Sequence, residues 1–267
     1  MHQAYPVLVP PNRPWTGCCK PEQVFREPLS ASLLRRMHSV PLPPPQIRQG
    51  DRQRRFDDDF FVETAERDAR LLMSVGLEPG QRLLDFGCGP GRLAIGLIAR
   101  GWEGSYLGVE VKARHVEWAD RQITSRFPDF RFARVDAANP RYNPTGAESP
   151  RLPAGDATFD MVCAFSVFSH MLSDDTAAHL AEIRRVLTDN GRAFVTAFVA
   201  DDVPDETENP PWLGDWSGRL HCVLYSTRFL TRLIHEAGFA VDRIEASAND
   251  RQAGLMLTPG DSGRDSI

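Results

Sequence analysis

The chain has 267 residues and a formal net charge of -5, with 42% hydrophobic and 25% charged residues. That length allows one sizeable core plus an accessory segment, or two small domains, and the composition is that of an ordinary globular protein. The negative balance argues against a dedicated nucleic-acid coat, no apolar run reaches membrane-spanning length, and the five cysteines include no Cys-x-x-Cys pair, so neither a disulfide scaffold nor a zinc knuckle is expected.

The charge is uneven along the chain. Residues 1 to 55 carry nine Lys or Arg against three acids. Their stretches "VPPNRP" and "PLPPPQ" read as extended, proline-rich chain, so this segment is predicted to be an N-terminal arm or cap whose arginines dock on an acidic body. Residues 56 to 267 are predicted to form the main domain. The opening "MHQAYPVLVPPNRPW" lacks the basic start and helical apolar core of a signal peptide, and the expected location is the cytoplasm.

Residues 56 to 75 predict a helix, with Phe61, Ala65, Ala69, Leu72 and Met73 as its apolar stripe and Gly76 as its end. An alternating rhythm follows. "QRLLDFG" predicts a strand, "GRLAIGLIARG" a helix, "SYLGVE" a strand, "VKARHVEWADRQITSRF" a helix and "FRFARVD" a strand. After a loop from Ala137 to Asp156 come the strand "FDMVCAF", the helix "SDDTAAHLAEIRRVL", a turn at Asn190-Gly191 and the strand "RAFVTAFV". A second long loop runs from Ala200 to Val223. "STRFLTRLIHEAG" predicts a serine-capped helix, and "AVDRIEAS" and "AGLMLTP" a closing pair of strands. This order predicts an α/β fold with a Rossmann-like, doubly wound sheet.

The sharpest motif is "LLDFGCGPGRL", residues 83 to 93, which ends a strand and opens a helix. Its glycines fall at Gly87, Gly89 and Gly91. A dinucleotide fingerprint starting at Gly87 and Gly89 needs its third glycine at position 92, which is Arg92. Asp85 precedes the turn. A carboxylate there disfavours a pyrophosphate and can accept hydrogen bonds from an ammonium-bearing ligand.

With this turn, the acid ending the second strand and the late strand-helix-strand-strand finish, the sequence resembles the class I S-adenosylmethionine-dependent methyltransferases over roughly residues 56 to 260. The resemblance implies a seven-stranded sheet with the last strand antiparallel and S-adenosylmethionine as cofactor. It implies that Glu110 accepts from the ribose hydroxyls, that Asp136 accepts from the adenine amino group, and that Ala137 offers its backbone N–H to the ring. Phe86 and Val111 would wall the adenosine, and Phe165 and Ser166 would border the methionine part.

Methyl transfer is an in-line displacement that needs proximity and an acceptor with a free lone pair. A hydroxyl acceptor gains from a base, and His170 in "AFSVFSH" lies where such a base would serve. Three roles remain open for His170: general base or substrate contact, packing against the cofactor, or a structural histidine near a helix start. His221 is a second catalytic candidate, whereas His115 and His179 fall in helical patterns and read as surface or packing residues. Trp212, Trp216 and Tyr225 read equally as a substrate wall or a small satellite core. Tyr142 and Arg48 are lesser candidates for the rim of the site.

No metal site is expected. The sequence therefore predicts methyl transfer to a small molecule at a hydroxyl oxygen, without membrane or nucleic-acid partners, by a monomer or homodimer. The alternatives are N-methylation, a protein or RNA acceptor, a Rossmann-like oxidoreductase, and a cofactor-binding protein without catalysis.

Overall fold

The computed structural model describes residues 40–147, 151–246 and 252–260. Most of the expected arm, residues 1–39, lies outside the described residues. Helices α1 (Arg52–Phe56) and α2 (Asp58–Ser74) come first, each capped by an aspartate side chain: Asp51 accepts from the Arg54 N–H, and Asp57 from that of Phe60. There follow β1 (Arg82–Phe86), α3 (Arg92–Arg100), β2 (Ser105–Glu110), α4 (Ala113–Ala119) and β3 (Phe130–Arg134). The second half holds β4 (Phe159–Ala164), α5 (Ser173–Val186), β5 (Leu187–Ala200), β6 (Glu206–Glu208), β7 (Val223–Ser226), α6 (Thr227–Glu236), β8 (Phe239–Ala246) and β9 (Ala253–Pro259).

Strands β3, β2, β1, β4 and β5 lie side by side and parallel. β9 runs antiparallel to β5 and to β8. These seven strands match the expected sheet, with its final strand antiparallel. The sheet has nine strands rather than seven, however. β5 continues past its pairing with β9, and Phe198 to Ala200 pair in parallel with β7, which pairs antiparallel with β6. The segment read as a loop from Ala200 to Val223 therefore contains β6 and leads into β7. Asn190-Gly191 lies inside β5, where the register with β4 shifts between Phe159 and Met161. The helix expected over "VKARHVEWADRQITSRF" ends early as an α-helix at Ala119 and continues as a π-helical turn, Asp120–Thr124.

The strand period of two sorts the core into two layers. Leu83, Tyr106, Met161 and Cys163 pack with Phe61, Ala65, Leu72 and Ile95 from α2 and α3. Leu84, Phe86, Val109, Val162 and Ala164 pack on the opposite face with Leu180, Ile183, Leu230 and Ile234 from α5 and α6. Helices thus cover both faces, and the carboxyl ends of β1, β2, β3 and β4 open on one edge, where such sheets bind ligands.

Candidate active site

The turn after β1 is held against β2, because the N–H groups of Gly87 and Cys88 both donate to the Val109 carbonyl, at 2.9 and 3.1 Å. Gly87, Gly89 and Gly91 all have positive φ, between 55° and 85°. A Cβ at Gly87 would come within 2.6 Å of a Val167 methyl, and one at Gly91 within 2.7 Å of Ile123. The glycines are therefore demanded by backbone conformation and close packing at once.

A cleft of about 680 Å³, counting the part open to solvent, lies beside this turn. Phe86, Gly87, Glu110, Val111, Ala137, Phe165 and Ser166 line it together with His170. The remaining predicted residues lie elsewhere. Gly89 and Gly91 shape the turn without lining the cleft. Asp136 is exposed, its Oδ1 accepting from Arg134 at 3.1 Å and from Asn143 at 3.0 Å. His221 lies outside the lining, and its Nδ1 accepts from the Ser217 N–H at 2.9 Å.

Asp85 is turned away as well. Strand alternation puts it on the face of Leu83, where Oδ2 accepts from the Tyr106 hydroxyl at 2.6 Å and Oδ1 from the Cys163 thiol at 3.6 Å. Burial pushes its carboxyl up to about 6, against the opposing effect of those two donors and of the Arg92 charge.

Glu110 is well ordered by its surroundings. Its Oε1 accepts from the backbone N–H groups of Val111 and Lys112, at 2.8 and 3.0 Å, and His115 Nδ1 lies 3.4 Å from Oε2. Burial alone would raise its pKa. The His115 contact and the Lys112 N–H and ammonium outweigh burial and hold the carboxyl below its ordinary value. His115 is 1% exposed, in the first turn of α4, and its Nε2 has no hydrogen-bond partner among the described residues. Sequence reading had placed it as a surface or packing residue; its spacing five residues after Glu110 was the available signal.

His170 ends a short 3₁₀ turn, Phe168–His170. Its carbonyl accepts from the Asn139 amide at 3.1 Å, and the next carbonyl, that of Met171, accepts from the Tyr225 hydroxyl at 2.6 Å. Its Nδ1 lies 3.0 Å from the Leu220 carbonyl. A carbonyl only accepts, so Nδ1 carries the hydrogen and Nε2 the lone pair. Burial pulls the imidazole down to about 4, opposed by the Leu220 contact and aided by the Arg141 charge. The Tyr142 ring meets it edge-on at 5.3 Å. Two non-glycine residues of this neighbourhood, Ser166 and Leu220, have positive φ, at 55° and 49°. Ser166 is held there by its N–H donating to Thr196 Oγ1 at 2.7 Å and by its Oγ on Gln252 at 3.2 Å.

The aromatic loop builds a satellite core. Trp216 packs with Phe198, Cys222 and Leu224, and Tyr225 is fully buried, while Trp212 is exposed. Gln49, Asn139 and Met171 also line the cleft without having been singled out in the sequence, and so does His179, which the sequence reads as a surface or packing residue. His179 lies on α5 with its ring 4.8 Å from that of Phe86, and burial pulls it down to about 4. Arg48 stays out of the cleft.

A doubly wound sheet with a glycine turn after β1 and a buried acid ending β2 defines a nucleoside-binding α/β domain. Residues 55–244 match the family described as "Methyltransferase domain", and the chain belongs to that family. It is 32% identical over 196 residues to the O-methyltransferase cnsE of Penicillium expansum, covering 70% of this chain and 63% of that protein. It is 31% identical over 182 residues to an O-methyltransferase of Pyrenophora dematioidea, covering 67% of this chain and 62% of the relative. The matches thus span just under two thirds of those relatives. Among solved structures, a SAM-dependent methyltransferase from Aquifex aeolicus aligns with a TM-score of 0.53 at 17% identity, covering 81% of this chain and 98% of the other.

Proposed function

We propose that the protein transfers a methyl group from S-adenosylmethionine to a hydroxyl oxygen of a small-molecule acceptor. The observation that carries this reading is one cleft lined by the Gly87 turn, the Glu110 carboxylate and a neutral His170 with its Nε2 lone pair uncommitted to Leu220. The residues fit the cofactor. Gly87, in a positive-φ turn and without a side chain, brings bare backbone to the cleft, and Glu110 is held ionised in a position to accept from a ribose diol. Ala137 and Val111 supply apolar contact for the base. When bound, S-adenosylmethionine supplies a methyl group already activated on a sulfonium sulfur.

The chain then has to align the acceptor and take up its proton. His170 Nε2 would accept the hydrogen bond of the acceptor hydroxyl and then its proton, as the methyl carbon passes from sulfur to oxygen and the sulfur departs as a neutral thioether. At about 4 its basicity is low, so alignment contributes more than prior ionisation of the hydroxyl. The names of the two fungal relatives support oxygen as the acceptor atom. Asn139 and Tyr142, which hold His170 against the loop after β3, favour a second role, a wall for the nucleobase.

One experiment separates these. Matched hydroxyl and amine acceptors are incubated with methyl-labelled cofactor and wild type or His170→Ala. Label in the hydroxyl compounds, lost by about 10² in rate in the variant with S-adenosylhomocysteine affinity unchanged, is the expected result. Label in amines alone contradicts oxygen transfer, and a loss of cofactor affinity in place of rate makes His170 a cofactor wall.

A further inference from the structure

Residues 40–51, just before α1, have no role in the reaction described so far, yet they are firmly placed. Val40 is 1% exposed and packs into the α2–α3 layer with Leu42 beside it. Arg48 is 6% exposed and acts as a staple. Its Nε donates to the Pro43 carbonyl at 2.6 Å, its NH1 group to the carbonyls of Arg55 and Asp57 at 3.3 and 3.5 Å, and its NH2 group pairs with Asp58 at 2.6 Å. The guanidinium lies 5.0 Å from the centre of the Phe61 ring. Residues 40–50 are thus a strap tied to the start of α2, and the next residue, Gln49, is delivered to the cleft.

Gln49 lines the cleft and lies over the glycine turn: a Cβ added at Gly89 would meet its Nε2 at 3.4 Å. Its side chain is exposed, and the amide makes no hydrogen bond to another described residue. Asp85 faces Tyr106 and Cys163 rather than the cleft, and the Ser166 hydroxyl in its lining is engaged by Gln252. The order of the strand ends sets what Gln49 faces. Ala137 follows β3, Glu110 ends β2 and the glycine turn follows β1, so a ligand with its base by Ala137 and its diol on Glu110 brings its far end to Gln49.

We propose that Gln49 binds the amino-acid end of S-adenosylmethionine, its Nε2–H donating to the carboxylate and its Oε1 accepting from the ammonium. This rests on the methyltransferase reading above. An amide suits a zwitterion because it carries a donor and an acceptor and adds no net charge. The strap that Arg48 fixes is thereby part of the cofactor site.

The test compares S-adenosylhomocysteine with 5′-methylthioadenosine, which lacks the amino-acid end, by calorimetry. Gln49→Ala is expected to weaken S-adenosylhomocysteine about tenfold or more and to leave methylthioadenosine unchanged. Gln49→Glu is expected to weaken S-adenosylhomocysteine further, because two carboxylates then face each other. Unchanged S-adenosylhomocysteine binding in Gln49→Ala, or the same loss for both ligands, overturns the inference and leaves the cofactor reading standing. A wild-type protein that binds neither ligand overturns the cofactor reading and this inference with it.

Discussion

Glu110 is the central residue of the proposed cofactor site, and its surroundings explain why a buried carboxyl stays ionised. Two backbone N–H groups satisfy Oε1, and His115 stands behind Oε2. A carboxylate so fixed meets a diol without first losing side-chain freedom. Glu110→Ala is expected to weaken S-adenosylhomocysteine binding by about 1 to 3 kcal/mol, read by calorimetry with a thermal melt as the control for folding. An unchanged affinity in a folded variant would remove Glu110 from the site. Asp85 makes the contrasting case at the same scale. In the sequence it looks as available as Glu110, but one step of strand alternation turns it to Tyr106 and Cys163.

At the scale of elements, the regular parts were legible because their periods are physical. The apolar stripe of α2, the glycine turn between β1 and α3, and the strand Ser105–Glu110 follow from spacing alone. β6 and β7 were missed because strands of three and four residues, one within a long loop and one at its end, leave no period to read. Part of the site was hidden for a related reason. His170 owes its tautomer to a carbonyl fifty residues away, and the loop after β3 is shaped by Asn139 and Asn143, whose amides hold backbone groups rather than marking a motif. Gln49 sits in proline-rich chain with no periodicity at all, and only the folded position of Arg48 delivers it to the cleft.

The whole molecule shows how such buried groups act together on stability. His170 and His179 are both pulled to about 4 by burial, well under their ordinary 6.5. As the pH falls from about 6.5 to about 4, the unfolded chain takes up protons that the folded chain refuses, so their contribution to stability is lost. Asp85 acts in the opposite sense. Held at about 6 rather than 3.8, it favours the folded state increasingly as the pH falls through that range. Two histidines outweigh one aspartate, and the net expectation is a loss on the order of a few kcal/mol between pH 7 and pH 4, read as a lower urea midpoint. A midpoint that rises on acidification would contradict this balance.

All these scales meet in the occupant of one cleft. On the function proposed above that occupant is a nucleoside carrying an amino acid, and the position of Arg92 in place of a third fingerprint glycine argues against a dinucleotide. The most direct measurement is a calorimetric titration of the wild-type protein with S-adenosylhomocysteine and, separately, with NAD. The account predicts saturable binding of S-adenosylhomocysteine and none comparable for NAD; NAD binding without S-adenosylhomocysteine binding would contradict it.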